Sequence, residues 1–244
     1  MRTSKTSPDI LYGISFCNAN PDRFPSLTGV YKHGKLGLVA IKTLKNDVRS
    51  GQDQTEAYTN EVNILDRLAS TVSSPHLIRL LASIIITPDD TLSGRDDFHL
   101  MFEAADRDLE GLWLSKEWRA AKPLAVNYST ISRWVAQQCL GLTNVLHKLH
   151  ALHGIHSNIA PENILHFGSW DYHAVSDPYT VHEQLGVLQL SGFGASSLDS
   201  TPSQVRGYIR FGDYLAPEME IIPSTPTTST DVKNLSCLFL DFVT

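Results

Sequence analysis

Few cysteines occur in this sequence, and it has neither a dense run of basic residues nor a long apolar segment. Its 244 residues include three cysteines, Cys17, Cys139 and Cys237, and no two of them form a C-x-x-C pair. Cysteines that are odd in number and widely spaced are typical of reduced thiols rather than of disulfides or a zinc site. The N-terminal MRTSKTSPDI has no apolar core and is not a secretory signal. We therefore expect an intracellular, cytoplasmic location.

Charge and hydropathy argue against two classes of partner. The chain carries 20 Lys and Arg against 26 Asp and Glu, a formal net charge of -6, so it lacks the positive surface typical of proteins that bind nucleic acid or anionic membranes. The longest apolar segments, 77–86 and 235–243, contain Arg79 and Asp241 and fall well short of the roughly 20 residues that cross a bilayer. We expect neither nucleic acid nor a membrane as a partner.

Hydropathy periodicity predicts a strand-rich first part of the chain. Residues 27–45 alternate around a Lys-His-Gly-Lys turn, which predicts a hairpin of two strands. Residues 52–70 show helical spacing of apolar side chains and predict an amphipathic helix. The face of this helix comprises Tyr58, Val62, Leu65 and Leu68, with Glu61 beside it. Two further apolar segments, 76–86 and 98–104, predict strands on either side of a polar loop.

The second part of the chain is predicted to be mainly helical. Residues 129–153 have an apolar face at helical spacing, and Gly154 is expected to end this helix. The composition changes near residue 105, which favours a strand-rich region followed by a helical one. An exposed insertion is predicted at 168–186, and Ser-, Thr- and Pro-rich loops at 196–206 and 223–231.

Short motifs occur along the chain in a fixed order. They are Val39-Ala40-Ile41-Lys42, Glu61 in the predicted helix, the segment from His156-Ser157-Asn158 to Leu165, Ser191-Gly192-Phe193-Gly194, and Ala216-Pro217-Glu218. This order resembles the eukaryotic protein kinase family over about residues 12–244. The resemblance implies an α+β, two-lobed kinase fold. Its parts would be an N-terminal extension at 1–11, a small N-lobe at 12–105 and an incomplete helical C-lobe at 106–244.

The same resemblance implies a nucleotide site. Lys42 would contact the α- and β-phosphates of ATP, and Glu61 would hold Lys42 by an ion pair. Glu103 and Ala105 resemble the hinge that links the two lobes. Asp108 stands where many kinases contact the ribose, although an aspartate at a helix start explains this residue equally well.

Three motifs depart from the family at positions that carry its chemistry. The glycine-rich phosphate loop is missing, and Pro21 and Pro25 in that region lack backbone N–H groups. Asn158 replaces the catalytic aspartate, and an amide cannot act as a general base near neutral pH. Gly192 replaces the aspartate that binds Mg²⁺. Asn163 is then the one recognisable metal ligand, and a weak one for so hard a cation.

These departures predict a pseudokinase, a kinase-like protein with weak or absent ATP and Mg²⁺ binding that works as a binding or scaffold module for protein partners. No catalytic set is intact. Residual ATP-dependent Ser/Thr phosphotransfer, supported by Lys42, Glu61 and Asn163, stays open as an alternative, and so does a non-functional fragment.

The last segment of the chain predicts a truncated C-lobe. In the family a central helix begins near the position of Asp231, with further helices packed on it, and here the chain stops at Thr244. We expect the apolar face of this helix to lose its partners, at about 1.5–3 kcal/mol for each exposed side chain. That face comprises Leu235, Leu238, Phe239 and Phe242.

Histidines recur every three residues near the end of the long helix. They are His147, His150, His153 and His156. A spacing of three drifts by about 60° per step around a 3.6-residue helix, so these four side chains cannot converge on one metal ion. We expect His156 instead to pack and form hydrogen bonds inside the helical lobe.

Overall fold

The order of secondary structure elements is clear in the computed structural model, which describes residues 2–3, 14–17, 29–33, 37–44, 54–71, 73–86, 96–121, 128–168, 185–198, 214 and 225–243. The elements are β1 (Arg2–Thr3), β2 (Ile14–Cys17), β3 (Gly29–His33), β4 (Gly37–Leu44), α1 (Thr55–Thr71), β5 (Leu80–Ile86), β6 (Asp97–Glu103), β7 (Arg107–Asp108), α2 (Leu109–Trp113), α3 (Lys116–Ala121), α4 (Tyr128–Ala151), β8 (Ile164–Phe167), β9 (Val187–Leu190) and α5 (Thr228–Val243). Short 3-10 turns lie at Pro161–Asn163 and Phe193–Ala195. This content confirms the predicted α+β class.

The chain divides into two compact units. The first comprises Met1–Arg67 and Arg79–Ala104, and the second comprises Leu68–Ile78 and Ala105–Thr244. Within the described residues, no helix of either unit is both long enough and apolar enough to cross a membrane.

An antiparallel sheet forms the frame of the first unit, with the strand order β1-β5-β6-β4-β3-β2 among the described residues. Strands β3 and β4 form the predicted hairpin, in which Val30 pairs with Ala40. Strand β4 also pairs with β6, where Lys42 lies opposite Leu100. Branched and aromatic side chains favour such a pleated surface. The hairpin and the two further strands predicted from the sequence are thus confirmed.

Helix α1 has the apolar face that its sequence predicts. Tyr58, Leu65 and Leu68 are buried, and the Tyr58 ring stacks on Phe98 of β6 with the ring centroids 4.8 Å apart. Each such buried side chain contributes about 1.5–3 kcal/mol of transfer free energy. Glu61 is also buried on this helix, and a buried carboxylate needs a partner of opposite charge.

The second unit contains the long helix α4 and a small sheet, whose described strands have the order β7-β8-β9. Two side chains of α4 are bonded to the backbone at and just before β9. Trp134 Nε1 donates to Gly186 O at 2.8 Å, and Gln138 Oε1 accepts from Leu188 N at 2.9 Å. Both side chains are fully buried. The predicted long helix is therefore confirmed, and it is fixed to the sheet by polar as well as apolar contacts.

The end of α4 differs from the sequence-based expectation. The residue in the left-handed region is His153, at φ 55°, whereas Gly154 is already past the turn. Gly154 N donates to Leu149 O at 2.9 Å. A Cβ atom on Gly154 would lie 2.5 Å from Leu149 Cδ1 and 2.8 Å from Leu198 Cδ2. Glycine is needed at 154 because space is lacking, not because of its φ angle.

The predicted loop at 223–231 is partly wrong, because α5 already begins at Thr228. Two threonine side chains exchange hydrogen bonds with each other's backbone. Thr230 N donates to Thr227 Oγ1 at 3.4 Å, and Thr227 N donates to Thr230 Oγ1 at 3.1 Å. This exchange resembles a capping box and favours an early helix start. Most of the other two predicted loops, at 169–184 and 199–206, lies outside the described residues.

The apolar face of α5 is largely buried, contrary to prediction. Leu235, Leu238 and Phe242 are 6%, 0% and 5% exposed. The Phe242 ring packs edge-on against three tryptophan rings supplied by α2, α3 and α4. Their centroid distances are 5.4 Å to Trp113, 6.0 Å to Trp118 and 6.3 Å to Trp134. These four rings, called the aromatic cluster below, give the face its partners, so the expectation that it would lose them is wrong.

Candidate functional site

Lys42 and Glu61 lie together in the first unit. Lys42 is on β4, which has a hydrogen-bonded neighbour on each side, and Glu61 is on α1. Lys42 Nζ donates to Glu61 Oε1 at 2.9 Å and to Oε2 at 2.7 Å. The two side chains are 17% and 3% exposed. Removing either partner would leave the other charge buried and uncompensated, so the pair is tightly interdependent.

Glu103 and Ala105, which resemble the hinge, lie where the first unit ends and the second begins. Glu103 is the exposed last residue of β6 and pairs with Val39. The intervening Ala104 donates its N–H to Leu38 O at 3.1 Å. The backbone that follows β6 therefore stays hydrogen-bonded to β4 up to Ala104, the last residue of the first unit.

Asp108 lies at the start of helix α2. Its Oδ1 accepts a hydrogen bond from Gly111 N at 2.7 Å, and its backbone is extended, with φ -86° and ψ 177°. This is the geometry of an N-cap residue, which stabilises a helix by satisfying a free backbone N–H. The capping explanation, one of the two left open by the sequence, has a direct contact in its favour.

The segment that resembles the catalytic loop is attached to Asp231 of α5. This carboxylate is fully buried. Its Oδ2 accepts from His156 N and its Oδ1 from Ser157 N, both at 2.8 Å. His150 Nε2 lies 2.9 Å from Oδ2. These bonds hold Ser157 at φ 67°, a left-handed conformation that costs a residue with a side chain about 1–2 kcal/mol.

The role of Asp231 was not predicted from the sequence, in which this residue was identified only as the start of a helix. The available signal was an acidic residue on the otherwise apolar side of α5. The role of His150 was not predicted for a different reason. The three-residue spacing of the histidines suggests only a metal site to be tested, and carries no information on a carboxylate 81 positions away.

His156 is buried and hydrogen-bonded in the second unit, as predicted. Its side chain is 0% exposed, and its Nε2 donates to Ser191 O at 3.0 Å. Its ring meets Phe193 edge-on, with the centroids 4.8 Å apart. The histidine thus joins the catalytic-loop-like segment to the segment that contains Gly192.

Asn158, Asn163 and Gly192 are brought side by side in the second unit. Asn163 Nδ2 donates to Asn158 O at 2.9 Å. Gly192 adopts φ 81° and ψ 35° in the left-handed region. A Cβ atom on Gly192 would lie 2.5 Å from Asn163 Oδ1. The asparagine side chain therefore fills the space next to this glycine.

Two other titratable side chains of the second unit have shifted pKa values. Burial lowers the pKa of His166, even though its hydrogen bond to Leu185 O opposes this effect. Burial also raises the pKa of the Cys139 thiol to about 11. Both groups are therefore neutral at pH 7, and the Cys139 thiol is a poor nucleophile there because the thiolate is the reactive form.

Comparison with known proteins gives distant matches. No protein-family model matches the chain. It is 23% identical over 184 residues to Cell division control protein 2 homolog C of Antirrhinum majus, and the match covers 75% of this chain and 52% of that protein. It is 22% identical over 209 residues to Probable cyclin-dependent kinase 8 of Dictyostelium discoideum, and this match covers 84% of this chain and 47% of that protein. These similarities support the resemblance of the chain to the protein kinase family. The kinase-like chain spans about half the length of the curated relatives it matches.

Magnesium does not fit the side chains that the kinase-like chain offers at Asn158, Asn163 and Gly192. Gly192 has no side-chain ligand atom, the amide nitrogen of Asn163 is bonded to Asn158 O, and the side chains of Asn158 and Asn163 offer only neutral amide oxygens. Within the described residues, no group of three or more His, Cys, Asp or Glu side chains could hold a metal ion. A hard dication that dehydrates reluctantly is usually bound by one or two carboxylates, and these three side chains supply none.

Several sequence features lie outside the described residues. They are Pro21, Pro25 and Ala216-Pro217-Glu218.

Proposed function

We propose that this chain is a protein-kinase-like domain of the pseudokinase type, with weak or absent ATP binding, that acts by binding other proteins. The proposal includes a two-lobed arrangement, with an N-terminal extension at 1–11, an N-lobe at 12–105 and a C-lobe at 106–244. The observation that carries it is the pair of uncharged residues, Asn158 and Gly192, at the positions where protein kinases have two aspartates.

The expected loss of activity follows from the chemistry of phosphoryl transfer. A kinase contributes mostly positioning and charge neutralisation. Its acidic residues bind the metal ions and orient the attacking hydroxyl. Losing a general base alone lowers a rate by roughly 10²–10⁴. The effects on rate of groups that serve one transition state are not additive. The loss of the base and the loss of the metal site therefore cannot be summed as independent factors.

A protein partner is the second part of the proposal. A fold that keeps a buried ion pair and a fixed loop network without its chemistry can still present surfaces to other proteins. The Dictyostelium relative is a probable cyclin-dependent kinase, that is, a kinase that depends on another protein. We extend to this chain only the use of a protein partner, and not the identity of that partner.

Residual Ser/Thr phosphotransfer is the second candidate function, and one observation favours it. The ion pair of Lys42 and Glu61 has the double hydrogen bond expected of a lysine held ready for phosphate. Such transfer would need an unusual arrangement to replace the missing carboxylates. The same pair also has a purely structural explanation, because a buried lysine requires a carboxylate partner.

A thermal titration distinguishes these candidates. The melting temperature of the chain would be followed with ATP in the presence and absence of Mg²⁺, together with transfer of labelled γ-phosphate to protein. We expect no strong Mg²⁺-dependent rise in melting temperature and no transferred label. The variants are Lys42→Met and, as a matched control, the exposed Lys148→Met. A strong rise with Mg²⁺-ATP, and label that disappears in K42M but not in K148M, would overturn the pseudokinase proposal.

A further inference from the structure

Strand β5 has a neighbouring strand on each side in the first unit. It pairs with β6 on one side and with β1 on the other. The pairing with β1 is antiparallel and places Arg2 opposite Ile85 and Thr3 opposite Ile84. In the part of the chain that the structure describes, no other position of β5 has a partner strand on this side. Without β1, this side of β5 would therefore be an edge of the sheet, with a row of backbone N–H and C=O groups open to another strand.

The sequence of β5 has few of the features that protect an edge strand. Its seven residues, LLASIII, include no charged residue, no proline and no glycine. Uncharged, β-branched segments of this kind readily pair with other chains when they lie at an edge. The pairing of β5 with β6 is irregular between Leu80 and Ala82, and such an irregularity interrupts a regular edge. The isoleucines at 84–86 have no such interruption, and β1 lies on two of them.

The contact of β1 with β5 is short, yet a separate chain competes with it at a disadvantage. Two residue pairs form a much shorter ladder than the seven residues of β5 could make, and short pairings at a sheet edge open at low cost in free energy. A segment of the same chain, however, acts at an effective concentration of about millimolar. A second chain at lower concentration therefore binds this edge only when β1 has left it.

We propose that Arg2–Thr3, called the strap below, is the built-in occupant of a strand-docking edge, and that β5 of a second copy of this chain takes its place when the strap leaves. Two β5 strands can pair antiparallel about a two-fold axis, because each offers the same edge to the other. Neither strand carries a charge, so no like-charge repulsion opposes their contact. Strand addition of this kind is held mainly by backbone hydrogen bonds. The inference goes beyond the proposed function, since it requires neither a nucleotide nor a kinase-like site.

Cysteine pairs test the position of the strap. Opposite residues of antiparallel strands have Cα atoms about 4.5–5.5 Å apart, which is within the range of a disulfide. The first variant is Thr3→Cys with Ile84→Cys, and the second is Arg2→Cys with Ile85→Cys. After mild oxidation, we expect an intramolecular disulfide in at least one of them, identified by mass spectrometry of non-reduced peptides. Thr3→Cys with Leu81→Cys is the register control and should form none. Absence of the disulfide from both matched pairs would overturn the proposal.

Proline in the strap tests the docking of a second copy. Arg2→Pro with Thr3→Pro removes both backbone N–H groups of the strap and blocks its pairing with β5. Arg2→Lys with Thr3→Val is the matched control, because it keeps these N–H groups. Dimerisation would be measured by sedimentation equilibrium over a range of chain concentrations. We expect the dissociation constant of the dimer to be at least about tenfold lower in R2P/T3P than in R2K/T3V, because an occupied site weakens apparent affinity in proportion to the fraction of chains in which it is free. Equal dissociation constants would overturn the proposal.

A lysine on β5 distinguishes pairing along this edge from other kinds of association. Ile86 is 39% exposed at the end of β5, and a lysine on an edge opposes strand addition. Ile86→Lys added to R2P/T3P should return the dissociation constant to that of R2K/T3V. Leu240→Lys on α5, where Leu240 is 60% exposed, is the matched control and should leave the dimer unchanged. A dimer or an aggregate of R2P/T3P that persists with I86K would overturn the proposal, whereas failure of the proposed function appears as label transferred from ATP.

Discussion

At the scale of single residues, the buried carboxylate of Asp231 accepts hydrogen bonds from the backbone N–H groups of His156 and Ser157. Asp231→Asn keeps the shape but leaves one amide oxygen to serve the N–H groups of His156 and Ser157. An unsatisfied buried donor costs about 1–3 kcal/mol. We expect a loss of that size in the free energy of unfolding, measured by urea denaturation. Glu56→Gln, at an exposed position on α1, is the control and should change stability little; equal effects of the two variants would contradict this role for Asp231.

His166 gives a pH-dependent prediction. Its pKa is lowered in the folded chain, mainly by burial, so the unfolded chain takes up a proton first as the pH falls. The stability linked to this neutral histidine is present above its ordinary pKa of about 6.5 and is lost as the pH drops towards the lower folded value.

Melting curves between pH 7 and pH 5 measure this effect of His166. His166→Gln should give a shallower fall of melting temperature with decreasing pH than the wild type. His147→Gln, at an exposed position of α4, should keep the wild-type slope. An unchanged slope in H166Q would show that other groups cause the acid sensitivity.

Single residues also show where the sequence was informative. Lys42, Glu61 and His156 were identified because they stand in short motifs whose order along the chain is distinctive. The bonds of Asp231 to His156 and Ser157 join residues about 75 positions apart. A contact over that separation depends on how helices pack, and hydropathy periodicity carries no information about it.

At the scale of elements, the aromatic cluster packs Phe242 of helix α5 against tryptophans of α2, α3 and α4. Phe242→Ala removes the ring that packs edge-on against the three tryptophans, and a buried phenylalanine replaced by alanine typically costs about 3–5 kcal/mol. We expect a decrease of this size in the free energy of unfolding, measured by urea denaturation. Leu240→Ala on the same helix is the control, because Leu240 is 60% exposed and should contribute little.

Helices were predicted correctly where apolar side chains recur at helical spacing. Burial was predicted wrongly where it depends on which other elements pack against a helix. Helices α1 and α4 are long and periodic, and both were found close to their observed bounds. The short helices α2 and α3 were not predicted, and their tryptophans bury the face of α5 that was expected to be exposed. The start of α5 was misplaced because a Thr- and Ser-rich segment was taken as a loop, although two of its threonines cap the helix.

At the scale of the whole molecule, introducing aspartates at Asn158 and Gly192 tests whether the proposed lack of phosphotransfer depends on more than these two positions. Phosphoryl transfer needs base, metal and phosphate loop in one transition state, so restoring part of this set recovers little. In the Asn158→Asp and Gly192→Asp double variant, the new side chain at 192 would meet Asn163. The chain would also still lack a glycine-rich loop. We therefore expect label transfer from Mg²⁺-ATP to stay at background, with the same chain carrying Lys42→Met as the reference for zero activity. Transfer that appears in the double variant and disappears on adding K42M would instead show that the rest of the kinase machinery is intact.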